Sequence, residues 1–201
     1  MNNQKIRLKI IFNSPVILWF SIICLVALIL NYATKGITND LLFSIYRSSF
    51  LNPLTYVRFI GHVFGHASWE HFIGNITLIL LVGPLLEEKY GSKNMIFVIM
   101  ATAIVTGMAN VLIFPNVQLL GASGVVFAFI ILSSFTSIKE GTIPLTFLLV
   151  VVIYIGGQAY DGIFIKDNVS NLTHILGGAV GAGLGFYMNK NKMNKNKINT
   201  Y

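Results

Sequence analysis

The chain has 201 residues, of which 55% are apolar and only 10% are charged, and its formal net charge is +7. Soluble domains usually carry about 25% charged residues, so this composition excludes an ordinary soluble enzyme, a disordered tail and a coiled coil. The single cysteine, Cys24, excludes an internal disulfide framework and a cysteine-based zinc site. Because a membrane span takes about 20 apolar residues, the chain is long enough for six spans.

Uncharged stretches predict an all-α membrane protein, because lipid offers backbone groups no partner outside their own helix. The six stretches, in chain order, are 10–34, the 16 residues between Glu70 and Glu87, 95–113, 122–138, 141–160 and 168–189. Pro115 separates the third stretch from the fourth, since proline cannot continue a helix. The first stretch follows basic residues, as a signal peptide would. Its apolar run exceeds the roughly 7–15 residues of a signal core, so we interpret it as an uncleaved span.

The positions of lysine and arginine predict the orientation of the chain. Six spans place both termini on one side, together with ten of the 14 basic residues, and leave four on the other. Positive charge accumulates in cytoplasmic loops, so both termini are predicted to be cytoplasmic. The chain then divides into an N-terminal tail 1–9, a six-span domain 10–189 and a basic tail 190–201. We expect no nucleic-acid partner, since the lysine-rich tail lacks interleaved aromatic residues.

The segment between the first two predicted spans, about 35–68, is long and apolar. It contains the stretch Leu-Leu-Phe-Ser-Ile-Tyr at 41–46. A segment of this kind is expected to lie in the membrane interface or to pack against the helices. Long loops with structure of their own are often functional.

Polar residues inside the predicted spans are candidates for function, because they are costly in lipid. His71 and Asn75 are four residues apart in the second span and share one helix face. His62 and His66 lie just upstream. Together with His71 they could supply three imidazoles to zinc, but the spacing is not that of a known zinc helix. Hydrogen-bonded structural roles for His62 and His66 are the better interpretation.

Two further motifs stand at the fourth and sixth spans. Gly121–Gly124 reads Gly-Ala-Ser-Gly and puts Ser123 in the first turn of a helix, where free N–H groups and the helix dipole can hold an oxyanion. In the sixth span, His174 lies three residues before Gly177, on a face where glycine recurs every fourth residue. Such small-residue motifs also occur in ordinary helix packing, and a buried structural role for His174 stays open.

Taken together, these residues suggest acyl-transfer chemistry. A serine hydroxyl needs a base to take its proton, and histidine is the usual base. Side chains such as those of His71 and Asn75 can donate hydrogen bonds to the developing oxyanion. The predicted topology places Ser123, His174, His71 and Asn75 near the outer ends of their spans.

These residues resemble the motifs of the rhomboid intramembrane serine proteases, over about 58–186. The matching elements, in the family's order, are Arg58 to His62, His66, His71 with Asn75, Gly83 with Glu87 and Gly91, Gly121 to Gly124, and His174 with Gly177 and Gly181. The resemblance implies a six-helix rhomboid bundle with a long structured loop between helices 1 and 2. It also implies a catalytic dyad of Ser123 and His174, without a third carboxylate.

The resemblance extends to the rest of the site. It implies an oxyanion hole formed by His71, Asn75 and the Ser123 backbone N–H. Phe127 stands where the family has an aromatic residue, often tyrosine, packed on the catalytic histidine, and Thr173 stands where alanine is common. No cofactor and no metal are implied.

The expected partners are transmembrane protein substrates, cut in or near the span, and membrane lipids. The expected location is a bacterial plasma membrane, with both termini cytoplasmic. Two other functions stay open. The first is a non-catalytic relative that binds membrane helices. The second is a channel or transporter, although no internal repeat supports it.

Overall fold

A computed structural model describes residues 13–114, 116–135, 145, 148–149, 152–153 and 168–198. The described residues are helical, apart from loops and one isolated bridge between Ile45 and Leu119. In chain order the elements are α1 (Pro15–Ala33), a π-helix (Asn39–Phe43), α2 (Pro53–Gly61), α3 (Trp69–Tyr90), α4 (Ser92–Ile113), α5 (Ser123–Ser134) and α6 (Asn168–Ile198). The expectation of an all-α fold is therefore confirmed for this part of the chain.

Three of these helices, α1, α3 and α4, are long and apolar enough to cross a membrane. They coincide with the first three predicted spans. Helix α5 is apolar but has only 12 residues, and its start agrees with that of the fourth predicted span. Most of the fifth predicted span, 141–160, lies outside the described residues, so the count of six spans stays a prediction.

Helix α6 is longer than the sequence predicts. It runs over 31 residues to Ile198, whereas the sixth predicted span ends at 189. At about 1.5 Å per residue it measures roughly 46 Å, more than the thickness of the hydrocarbon core. The charge pattern marks where a helix leaves lipid, and a helix rich in lysine and asparagine can continue in water beyond that point.

Glu87 joins α3 to the beginning of α1. Its buried carboxylate accepts hydrogen bonds from the backbone N–H groups of Val16 (3.1 Å) and Ile17 (3.0 Å) and from the Ser92 hydroxyl (2.7 Å). The first N–H groups of a helix have no partner within the helix, and a negative charge there also complements the helix dipole. Glu87 therefore fixes the start of α1 against the α3–α4 turn.

The segment between α1 and α3 packs against the helices, as one of the two sequence alternatives expected. Arg58 of α2 is buried, and it donates hydrogen bonds to the Tyr46 hydroxyl (3.1 Å) and the Ser48 hydroxyl (2.9 Å). Its guanidinium carbon also lies 4.5 Å from the centre of the Tyr46 ring. Next to Tyr46 in the chain, the backbone of Ile45 exchanges two hydrogen bonds of 2.9 Å with the backbone of Leu119. These contacts hold the segment beside the loop that leads into α5.

Candidate active site

Ser123 is the first residue of α5, as the sequence predicts, and it is partly buried. The preceding residue, Ala122, has no side-chain group that could cap the helix. The first backbone N–H groups of α5 therefore have no capping side chain at this end, and the helix dipole is positive there. This is a geometry in which a developing negative charge can be held.

Gly121 lies directly in front of the polar face of α3. Its φ of +131° strongly favours glycine. A Cβ atom at this position would lie 2.7 Å from Cε1 and 2.8 Å from Nε2 of His71, and 3.9 Å from Nδ2 of Asn75. The space in front of Gly121 is thus lined by polar atoms of His71 and Asn75. The structure brings these two residues beside the Ser123 motif, which their spacing on α3 could not show alone.

Helices α5 and α6 cross at very close range through their glycines. A Cβ atom at Gly177 would lie 2.8 Å from the carbonyl carbon and 3.0 Å from the Cα of Gly124, and one at Gly181 would lie 2.8 Å from the Cα of Ala128. Backbones approach this closely only where side chains are missing. The glycine face of the sixth span therefore packs on the helix that Ser123 begins.

This crossing places His174 over the first turns of α5. The imidazole of His174 stacks on the Phe127 ring, with ring centres 4.2 Å apart and an angle of 6° between the planes. Phe127 lies one helical turn after Ser123. His174 thus faces the helix that packs against its glycine face, and its ring is in contact with that of Phe127.

His62 has a structural role in this arrangement. Its Nδ1 lies 3.2 Å from the Arg58 carbonyl oxygen and its Nε2 lies 3.1 Å from the Thr106 hydroxyl of α4. Its backbone carbonyl accepts a hydrogen bond of 2.9 Å from the Gly121 N–H. Burial lowers the pKa of His62 from 6.5 to about 4, so the ring is neutral at physiological pH. His62 thus connects α2, α4 and the loop before Ser123.

His66 makes a contact that sequence reasoning missed. Its Nε2 lies 3.3 Å from Nδ2 of Asn75, and its Nδ1 lies 3.1 Å from the Phe64 carbonyl oxygen. The helical spacing rule could not find this pair, because His66 precedes the start of α3 at Trp69. Among the described residues, no three His, Cys, Asp or Glu side chains form a group that could hold a metal ion.

Three helices, α1, α3 and α4, have the length and apolar composition of membrane spans, which indicates an integral membrane protein. The polar side chains of His71 and Asn75 lie at the beginning of one of these helices, α3, beside the Ser123 motif. A family model described as the Rhomboid domain matches residues 53–191, more than half of the chain. The chain therefore belongs to the rhomboid family. The match begins at the first residue of α2, so α1 lies outside it.

Two curated relatives have similar sequences. Rhomboid-related protein 2 of Mus musculus is 28% identical over 156 residues, which cover 67% of this chain and 51% of that protein. Rhomboid-related protein 1 of Caenorhabditis elegans is 31% identical over 140 residues, which cover 64% of this chain and 39% of that protein. The chain spans about half of the first relative and less of the second.

Proposed function

We propose that this protein is an intramembrane serine endopeptidase in which Ser123 is the nucleophile and His174 the general base. His174 takes the Ser123 hydroxyl proton as the oxygen attacks the peptide carbonyl, and it returns that proton to the departing amine. Water then attacks the resulting ester and loses a proton to His174. His174 passes this proton to the Ser123 oxygen as the bond between that oxygen and the acyl carbon breaks, which releases the acid product and restores the Ser123 hydroxyl. This two-step route replaces one difficult hydrolysis by two easier reactions.

The observation that carries the proposal is the glycine crossing of α5 and α6. It brings His174 onto Phe127, one turn after Ser123, with the ring planes 6° apart. Stacking restrains the imidazole to one plane, and the backbone contact of Gly177 with Gly124 fixes the height of α6 along α5. An imidazole fixed in this way is suited to repeated proton transfer at one position.

The oxyanion would be held by the Ser123 backbone N–H and by the side chains of His71 and Asn75. Support comes from Gly121, where any side chain would collide with His71 and reach Asn75. The space kept open by this glycine is next to the motif that contains Ser123. Preorganised donors of this kind often contribute the largest share of catalysis in acyl transfer.

The proposed substrates are the membrane-spanning segments of other proteins, cut within or beside the span. A helical backbone hides its carbonyl groups, so a substrate has to unwind locally before Ser123 can attack. We further propose a six-span domain over 10–189, with tails 1–9 and 190–201 on the cytoplasmic side, as the lysine and arginine count suggests. A bacterial plasma membrane stays a prediction from sequence; the two relatives come from animals.

The test is cleavage of a model single-span substrate by the purified protein in detergent micelles and in liposomes. The wild type is expected to cut the substrate within or beside its span. Ser123→Ala and His174→Ala are each expected to abolish the product while the protein keeps its melting temperature. A folded wild type that cuts no substrate would refute the proposal. It would favour the non-catalytic, helix-binding alternative instead.

A further inference from the structure

The orientation of the Asn75 amide decides whether the residue can serve an oxyanion. An amide side chain has two ends of nearly equal size, one a donor and one an acceptor. Only the NH₂ end stabilises a negative charge, and the carbonyl end would repel it. A residue that determines which end faces Gly121 therefore controls the site without contacting the substrate.

The Phe64 carbonyl determines which nitrogen of His66 carries the proton. A carbonyl oxygen can only accept, so His66 Nδ1, at 3.1 Å from it, must be the N–H donor. A neutral imidazole has one N–H group. Its other nitrogen, Nε2, is then an acceptor, which it could not be in the doubly protonated ring.

The surroundings of His66 keep the ring neutral and in place. Burial, and next to it the charge of nearby His71, lowers the pKa of His66 from 6.5 to about 4. The ring packs edge-on against His71 and Phe72, with centres 5.1 Å and 5.4 Å away. The His66 backbone carbonyl also accepts a hydrogen bond of 3.1 Å from Asn39 Nδ2.

The acceptor nitrogen of His66 fixes the amide of Asn75. With Nε2 unprotonated, the group 3.3 Å away has to be the Asn75 NH₂. One of its two N–H bonds is used by His66, and no hydrogen bond to another described residue uses the second. The same Nδ2 atom lies 3.9 Å from the point in front of Gly121 where a Cβ would stand. A flipped amide would set two acceptors against each other.

We propose that His66 is a positioning residue, which through the chain Phe64–His66–Asn75 holds the Asn75 NH₂ toward the oxyanion site. The inference rests on the proposed protease function. It assigns His66 no contact with the substrate. His62, equally buried and also hydrogen-bonded, makes no such connection to Asn75, because its ring partners are Arg58 and Thr106.

The test is a double-mutant cycle between His66 and Asn75. His66→Phe keeps a ring but removes the acceptor, and it is expected to lower kcat about tenfold to hundredfold with little change in KM. In an Asn75→Ala background the same substitution is expected to lower kcat no further. His66→Gln supplies an acceptor oxygen near the Nε2 position and is expected to recover much of the activity.

The matched control is His62→Gln, which removes a buried imidazole without touching Asn75. Its effect on kcat is expected to be the same in the wild-type and Asn75→Ala backgrounds. If His66→Phe also lowers kcat by the same factor in the wild-type and Asn75→Ala backgrounds, or leaves kcat unchanged, the positioning role is refuted. A wild type that cleaves nothing would instead refute the protease function, so the two failures are distinguishable.

A second measurement uses only the wild-type protein, so it does not depend on whether a variant folds. Side-chain ¹⁵N NMR of the histidine-labelled wild type near pH 7 reports which imidazole nitrogen carries the proton. We expect the Nδ1–H tautomer for His66. An Nε2–H tautomer or a doubly protonated ring would overturn the proposal, because Asn75 would then have to turn its carbonyl oxygen toward His66.

Discussion

Replacing Gly177 by alanine tests whether the α5–α6 crossing positions the proposed base. The added Cβ would stand 2.8 Å from the carbonyl carbon and 3.0 Å from the Cα of Gly124. Carbon atoms that are not bonded prefer about 3.5–4.0 Å. Both partners are backbone atoms, so no side chain can turn away. Relief requires the two helices to separate by roughly 1 Å at this point.

A separation of this size has consequences for both rate and stability. A misplacement of about 1 Å between reacting groups can lower a rate roughly 100-fold. Overpacking a tight contact also destabilises a protein by about 1–3 kcal/mol. Since His174 lies one turn from Gly177, we expect Gly177→Ala to reduce kcat/KM about 100-fold, and the melting temperature to fall.

Gly183→Ala is the matched control on the same helix. In the described part of the chain, no atom outside the helix itself lies within 4 Å of a Cβ built at Gly183. Alanine is the better helix former by about 1 kcal/mol, so this variant is expected to keep its activity and its stability. Both variants are assayed on the same single-span substrate, with thermal unfolding followed by circular dichroism. Equal activity of Gly177→Ala and Gly183→Ala would refute the reasoning that the glycine crossing positions His174.

Three further predictions follow from single contacts. Phe127→Ala removes the ring stacked on His174 and is expected to lower kcat up to about tenfold, whereas Phe127→Tyr keeps the ring and is expected to keep the wild-type kcat. Equal kcat values for the two variants would contradict the stacking role. Glu87→Ala leaves the first N–H groups of α1 unpaired and is expected to lower the free energy of unfolding by about 2 kcal/mol, which a lower melting temperature would show. An unchanged melting temperature would contradict this role of Glu87. Folding favours the neutral forms of His62 and His66, so stability is complete above pH 6.5 and falls as pH drops toward about 4, by at most roughly 3 kcal/mol each. A melting temperature equal near pH 7 and near pH 4.5 would count against it.

Helix positions could be predicted from the sequence wherever charge marks the edge of lipid. At Glu87 the charge-free stretch ends, whereas α3 continues to Tyr90. This carboxylate is buried against the start of α1, where backbone N–H groups satisfy it. The sequence shows that a residue is charged, but it does not show that hydrogen bonds from another helix stabilise that charge.

The candidate site was predictable where it depends on helical spacing. The shared face of His71 and Asn75 follows from four residues of separation, and the approach of His174 to α5 follows from the glycines beside it. The contact between His66 and Asn75 could not be predicted in this way, because His66 lies in the loop before α3 and helical spacing relates only residues of the same helix. Contacts of this kind depend on how the segment before α3 packs, which is set by distant partners.

The most direct test of the central claim is the location of a covalent adduct. A fluorophosphonate reacts with a serine only where a base and an oxyanion site activate it. We expect peptide mass spectrometry of the labelled, folded wild type to find the phosphonyl group on Ser123, and we expect no adduct in His174→Ala. Labelling at another residue, or equal labelling of Ser123 with and without His174, would contradict the account.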